Sequence, residues 1–86
     1  MKIHNPFLSI LPTIDLHGYT EDMVKYKLNE FITDNYKLKN KKIVIIHGIG
    51  KGIIKNEIHR LLKTDKRVKK YYLDTFNIGQ TIIEII

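Results

Sequence analysis

Asp15 and His17 stand two apart in the stretch Ile14-Asp15-Leu16-His17-Gly18. On an extended strand that spacing turns both side chains to one face. A carboxylate beside an imidazole fixes the ring's tautomer and raises its basicity, which suits general acid–base work. The same two residues also suit a turn cap and a hydrogen-bonded strand end, and short motifs recur by chance. A second stretch, His47-Gly48-Ile49-Gly50-Lys51-Gly52, is rich in glycine and is followed by Lys55. Glycines let backbone N–H groups approach an anion, and a helix starting just beyond adds partial positive charge. No acid lies between His47 and Asn56. A plain tight turn accounts for these glycines equally well. The GxxxxGK[ST] phosphate loop is absent and G-x-G-x-x-G fails at Ile53, so neither nucleoside-triphosphate hydrolysis nor a dinucleotide site is supported. Asp15, His17 and His47 could also supply a two-histidine, one-carboxylate metal set, but only if all three converge on one point. Phosphate binding is the preferred reading.

The elements that must position these residues follow from hydrophobic spacing. Residues 12–17 read as a short strand ended by Gly18. Thr20 is a good helix cap, with Glu21 and Asp22 in the first turn. Val24, Leu28, Phe31, Ile32 and Asn35/Tyr36 recur at helical spacing through about residue 36. Ile43-Val44-Ile45-Ile46 is a β-branched run, the mark of a strand buried on both faces. Ile54, Ile58, Leu61 and Leu62 predict a helix over about 53–63, residues 68–73 a third strand, 74–79 a loop and 81–86 a fourth strand. The order β-α-β-α-β-β implies parallel pairing among the first three strands and an antiparallel last one. The expected fold is α/β, a two-layer sandwich with a mixed four-stranded sheet and both helices on one face. Residues 1–11 are expected to be an arm on a domain spanning 12–86. In such sheets ligands bind beyond the carboxyl ends of parallel strands. Adjacent first and second strands would therefore bring Asp15 and His17 to the glycine loop. His4 and His59 are read as bystanders, and at most one of Tyr71 and Tyr72 as a base-stacking platform, since neighbours on a strand face opposite ways.

With 86 residues, a net charge of +6 and no cysteine, the chain has room for one domain and excludes disulfides, thiolate metal sites and Cys nucleophiles. No apolar run approaches a membrane span, and the amino terminus lacks a secretory core, so a cytoplasmic location is expected. The positive charge sits in Lys37, Lys39, Lys41 and Lys42, and in Lys63, Lys66, Arg67, Lys69 and Lys70; the remainder is net acidic. Such segments serve helix-end complementation or a polyanion contact. Both precede predicted strands and so fall at the sheet edge opposite the two motifs.

Taken together, Ile14–Gly18 and His47–Gly52, separated by one helix and followed by Gly79-Gln80-Thr81 on the last strand, resemble the Smr, or small MutS-related, domain family over roughly residues 12–86. The resemblance implies a two-layer α/β sandwich similar to the C-terminal domain of a bacterial translation initiation factor. It also implies nucleic acid, RNA or DNA, as the partner, with the ribosome a site of action for some members. Endonuclease activity is the implied function, and a non-catalytic binding module such as the appendage of a MutS2-type repair or ribosome-rescue protein is the alternative. Carried onto this chain, the catalytic candidates are Asp15 and His17, with His47 as donor to the leaving oxygen. Gly48, Ile49, Gly50, Lys51, Gly52 and Lys55 are the substrate-binding candidates. No cofactor is expected, although a divalent metal is compatible with the motif. His17 stands where many appended MutS2 versions carry Arg, which favours the cleaving, stand-alone type. One departure is that Asn77-Ile78-Gly79 replaces the glycine-rich stretch many members carry before the last strand.

Overall fold

The computed structural model describes residues 11–86, so the expected arm lies almost wholly outside the described residues. The elements are β1 (Thr13–Asp15), α1 (Glu21–Lys37), β2 (Lys42–Ile46), α2 (Ile53–Lys63), β3 (Val68–Asp74) and β4 (Asn77–Ile85). Thr20 caps α1, its side-chain oxygen accepting the Met23 N–H. The helix runs to Lys37, and the chain reverses through Lys39 at φ 63° with the Asn40 N–H on the Asn35 carbonyl. Asn35 therefore closes the helix end as a buried polar residue, its amide bonded to the Phe31 carbonyl and to Asn40. Among the described residues no helix is long and apolar enough to cross a membrane.

The sheet order is β1-β2-β4-β3. β1 pairs parallel with β2, and β4 pairs antiparallel with both β2 and β3. The expected pairing of the third strand with the second is thus corrected. β3 runs in the same direction as β1 and β2, but β4 lies between it and them. Composition explains the order. β4 presents Thr81, Ile82, Ile83 and Ile85 as buried residues and needs neighbours on both sides. β3, with Lys69 and Lys70 outward, tolerates an edge, where charged side chains discourage further pairing. The predicted loop over 74–79 is also shorter than expected. β3 and β4 form a hairpin in which only Thr75 and Phe76 lie between the paired Asp74 and Asn77. β4 is therefore central, with a strand paired on each side.

Both helices cover one face. Val24, Leu28 and Ile32 of α1 and Ile58 and Leu62 of α2 join Ile43, Ile45, Ile83 and Ile85 in one core with Leu16. Val44 and Ile82, a registered pair pointing the other way, are buried as well, as the β-branched run predicted for β2. Arg67 links α1 to the α2–β3 turn: its guanidinium donates to Thr33 Oγ1, Asn29 Oδ1 and the Asp65 carboxylate. One member of the second basic segment is thereby committed to the fold. Ile83 sits at the middle of the core with no exposure. Ile83→Ala should lower the unfolding free energy by about 2–5 kcal/mol in urea titration, the usual cost of such a cavity.

Candidate functional site

β1 and β2 run side by side, so their carboxyl ends meet at one edge. The contact is close: a Cβ on Gly48 would lie 3.4 Å from the His17 Cβ. Gly48 also has φ +85°, a conformation that a side chain disfavours, so the backbone calls for glycine here. The two motifs that the sequence separates by about thirty residues are joined at this point.

His17 Nδ1 lies 2.6 Å from Asp15 Oδ1, and the same oxygen accepts the His17 backbone N–H at 3.1 Å. The imidazole bond, followed by the backbone bond, holds the Asp15 carboxyl below its ordinary range. An ionised Asp15 requires a proton on Nδ1, which leaves Nε2 of neutral His17 as a free base. Asp15 and His17 are both solvent-exposed, so the pair is open to a large ligand.

Beyond them the glycine loop and the start of α2 line a cleft of about 390 Å³, bounded by His17, Gly18, His47 and residues 48–55. Gly52 precedes α2 and offers no side-chain cap, and the first intrahelical bond runs from the Asn56 N–H to the Gly52 carbonyl. The amides of Ile53, Ile54 and Lys55 have no partner within the helix and no acid in the first turn to neutralise them. Lys51 and Lys55 bring full charges to the same cleft. Every substrate-binding candidate named from the sequence is therefore on its wall.

His47 is placed differently from its expected role as a proton donor. It is only 5% exposed, and both ring nitrogens are bonded inside the protein. Nδ1 is 2.9 Å from the Gly48 carbonyl oxygen, so it must carry a proton. Nε2 is then the acceptor of the Thr81 hydroxyl at 2.9 Å. Thr81 Oγ1, its own proton used, accepts from His59 Nε2 at 2.8 Å. One direction of donation satisfies the whole chain: His59 to Thr81, Thr81 to His47, His47 to the Gly48 carbonyl. His47 thus holds the loop and has no nitrogen to offer a substrate. His59 has a packing role, its ring lying edge-on against His47 and Tyr71. The metal-set alternative loses its geometry for the same reason, because His47 is turned inward and His17 Nδ1 faces Asp15. Among the described residues no three His, Cys, Asp or Glu side chains are grouped to hold a metal ion.

Sequence reasoning missed Thr81 and Gly79 as parts of the site. The Gly79 carbonyl accepts the N–H groups of both His47 and Gly48, at 2.9 Å each. A Cβ on Gly79 would fall 3.4 Å from Ile49 Cγ1 and 3.7 Å from the Gly48 carbonyl carbon. The Gly-x-Thr spacing was a signal for both. Neither tyrosine is a free platform: Tyr71 packs on His59 and the core, and Tyr72 donates to Glu84 Oε2 at 3.3 Å under the Lys70 ammonium.

Residues 14–83 match the Smr domain. The chain belongs to the Smr domain family. Endonuclease MutS2 of Clostridium acetobutylicum is 31% identical over 78 residues, covering 91% of this chain and 10% of that protein. Endonuclease MutS2 of Acetivibrio thermocellus is 31% identical over the same length and shares. This chain thus spans about a tenth of the length of these relatives. Among solved structures, the Smr domain of Thermus thermophilus MutS2 superposes with a TM-score of 0.85 at 22% identity, over 88% of this chain and 99% of that one. YdaL, a stand-alone small MutS-related protein from Escherichia coli, gives 0.81 at 17% identity, over 85% and 63%. The Smr fold expected from the two motifs is therefore the fold observed, two helices on a mixed four-stranded sheet.

Burial, then the bond or charge of neighbours, sets the titration of the internal histidines. Burial pushes His47 below 6.5, against the opposing Gly48 bond and with Lys55 adding to the effect. His59 is pushed down by burial, by His47 and by Lys55. Below 6.5 the unfolded chain takes up protons that the folded chain refuses, so this contribution is whole above 6.5 and is lost as pH falls. Urea unfolding of the parent should show stability declining from pH 7 towards 5. Thr81→Val leaves two imidazole nitrogens without their partner and should cost about 1–3 kcal/mol, whereas Thr81→Ser should cost less.

Proposed function

We propose that this Smr domain is an endonuclease that cleaves a phosphodiester bond in structured RNA. The observation that carries the reading is His17, oriented by Asp15, on the rim of an amide-lined cleft flanked by Lys51 and Lys55. His17 Nε2 takes the proton of a 2′-hydroxyl, whose oxygen attacks the adjacent phosphorus. The 5′-oxygen leaves and a 2′,3′-cyclic phosphate forms. Negative charge gathers on the non-bridging oxygens, where free helix amides and lysine ammonium groups favour it over the ground state. His47 is committed to the loop, so in this open cleft the leaving oxygen draws its proton from water. Asp15 is a positioning residue, since its carboxylate acts through the ring. The naming of the MutS2 relatives as endonucleases supports the class of reaction.

Labelled RNA and DNA incubated with the protein in EDTA test this. The expected result is RNA cut to cyclic-phosphate ends and DNA left intact. His17→Ala should lower the cleavage rate by about 10²–10⁴, the usual worth of a general base. Asp15→Asn should lower it less and shift the pH profile. Metal-dependent cutting of both polymers would contradict the 2′-hydroxyl route. A parent that binds but never cuts, with binding unchanged in Asp15→Ala/His17→Ala, would instead establish a binding module.

The lysines at the opposite edge serve, on this reading, as a second contact for a long polyanion. Lys37, Lys39, Lys41 and Lys42 are exposed, while Arg67 and Lys70 of the other segment face Asp65 and Glu84. Replacing Lys39, Lys41 and Lys42 by Gln should weaken binding and flatten the log–log salt slope by about 2 for single-stranded substrate. The rate at saturating substrate should not change.

A further inference from the structure

Phe76 is 89% exposed, more than any other large apolar side chain among the described residues. It sits between the paired Asp74 and Asn77 at the tip of the β3–β4 hairpin. An isolated exposed phenylalanine needs no explanation, but this one is held firmly. Asp74, only 4% exposed, accepts the Phe76 backbone N–H at 2.9 Å on one carboxylate oxygen and Gln80 Nε2 at 2.8 Å on the other. Asn77 Oδ1 accepts the Gly79 N–H at 3.0 Å. Gly79 in turn carries the glycine loop on its carbonyl. The hairpin tip and the anion cleft are thus tied through one residue, and Phe76 lies three residues from it, at most about 10 Å away, the reach of three extended residues. Ile49, exposed on the glycine loop, lies against Gly79 and lines the cleft.

We infer that Phe76 is a stacking platform for an unpaired nucleobase on the strand whose phosphate occupies the cleft. This deepens the nuclease reading and rests on it: the substrate must present an unpaired base beside the bound phosphate. The occupant follows from continuity with the cleft. A flat aromatic ring at a fixed span from a phosphate site matches a nucleotide, which joins a π-face to an anion. Stacking is indifferent to sequence, because every base has such a face. A base inside a duplex has both faces covered and gains nothing from Phe76.

The chain has no tryptophan, so Phe76→Trp provides a single reporter at the tip. The probes are a 12-nucleotide single-stranded DNA, the same strand with abasic sites, and its duplex, all in EDTA. The parent should prefer the intact single strand to the abasic one. Phe76→Ala should lose about 5- to 150-fold in affinity for the intact strand, the span of one stacked base, and little for the other two. Phe76→Trp should restore the affinity, with its emission quenched at saturation. Equal affinity of Phe76→Ala and parent for the intact strand, or tryptophan emission unmoved at saturation, would overturn the platform while leaving the nuclease reading standing. Emission that changes with protein concentration alone would overturn it in favour of a contact between two copies. A parent that binds none of the probes and cuts no RNA would remove the nuclease reading and the platform with it.

Discussion

The Gly79 carbonyl accepts two backbone N–H groups, those of His47 and Gly48, and this forked contact decides where β2 ends and the glycine loop begins. A Cβ on Gly79 would fall 3.2 Å from Asn77 Oδ1, the atom that accepts the Gly79 N–H, so a side chain there would press on the turn that sets this approach. Once Gly48 is held there, it lies against His17, and the ends of β1 and β2 become one surface. The internal chain from His59 through Thr81 and His47 holds the same residue by its carbonyl, which accepts from His47 Nδ1. β4 is therefore more than a filler strand: its first residues carry the loop that the parallel pair only brings near.

This arrangement divides labour between backbone and side chains. On the proposed reading the cleft binds charge with amides whose positions the fold supplies, at no cost in side-chain ordering. The side chains that remain free at the edge are His17, oriented by Asp15, and the two lysines. The net charge of +6 first suggests that the basic segments are the binding surface. Topology puts them at the amino ends of β2 and β3, across the sheet from the cleft, and Arg67 is occupied in joining α1 to the following turn. The full positive charges beside the cleft are those of Lys51 and Lys55.

Much of this was legible in the residues. The helical spacing from Val24 to Ile32, the β-branched run at 43–46 and the two motifs located the elements and the meeting edge. Strand order was not, because pairing was inferred from succession along the chain. The lysines of β3 and the apolar density of β4 held the information, since an edge strand tolerates charge and a central one does not. The role of His47 was hidden for a different reason. A histidine beside a glycine loop looks available until its partners are known, and one of them, Thr81, is 34 residues away. Phe76 was overlooked because residues 74–79 read as a loop, although Asp74 and Asn77 bracket a tight turn.

We propose that the cleft between the β1 and β2 ends, rather than the lysine segments, receives the scissile phosphate. The most direct measurement is the amide chemical-shift map of ¹⁵N-labelled protein titrated with a short 2′-deoxy oligonucleotide. The largest shifts are expected at Gly18 and across Gly48 to Lys55, with smaller and salt-sensitive shifts at residues 37–42. Shifts confined to residues 37–42 and 63–70, with the loop and the start of α2 unmoved at saturation, would contradict it.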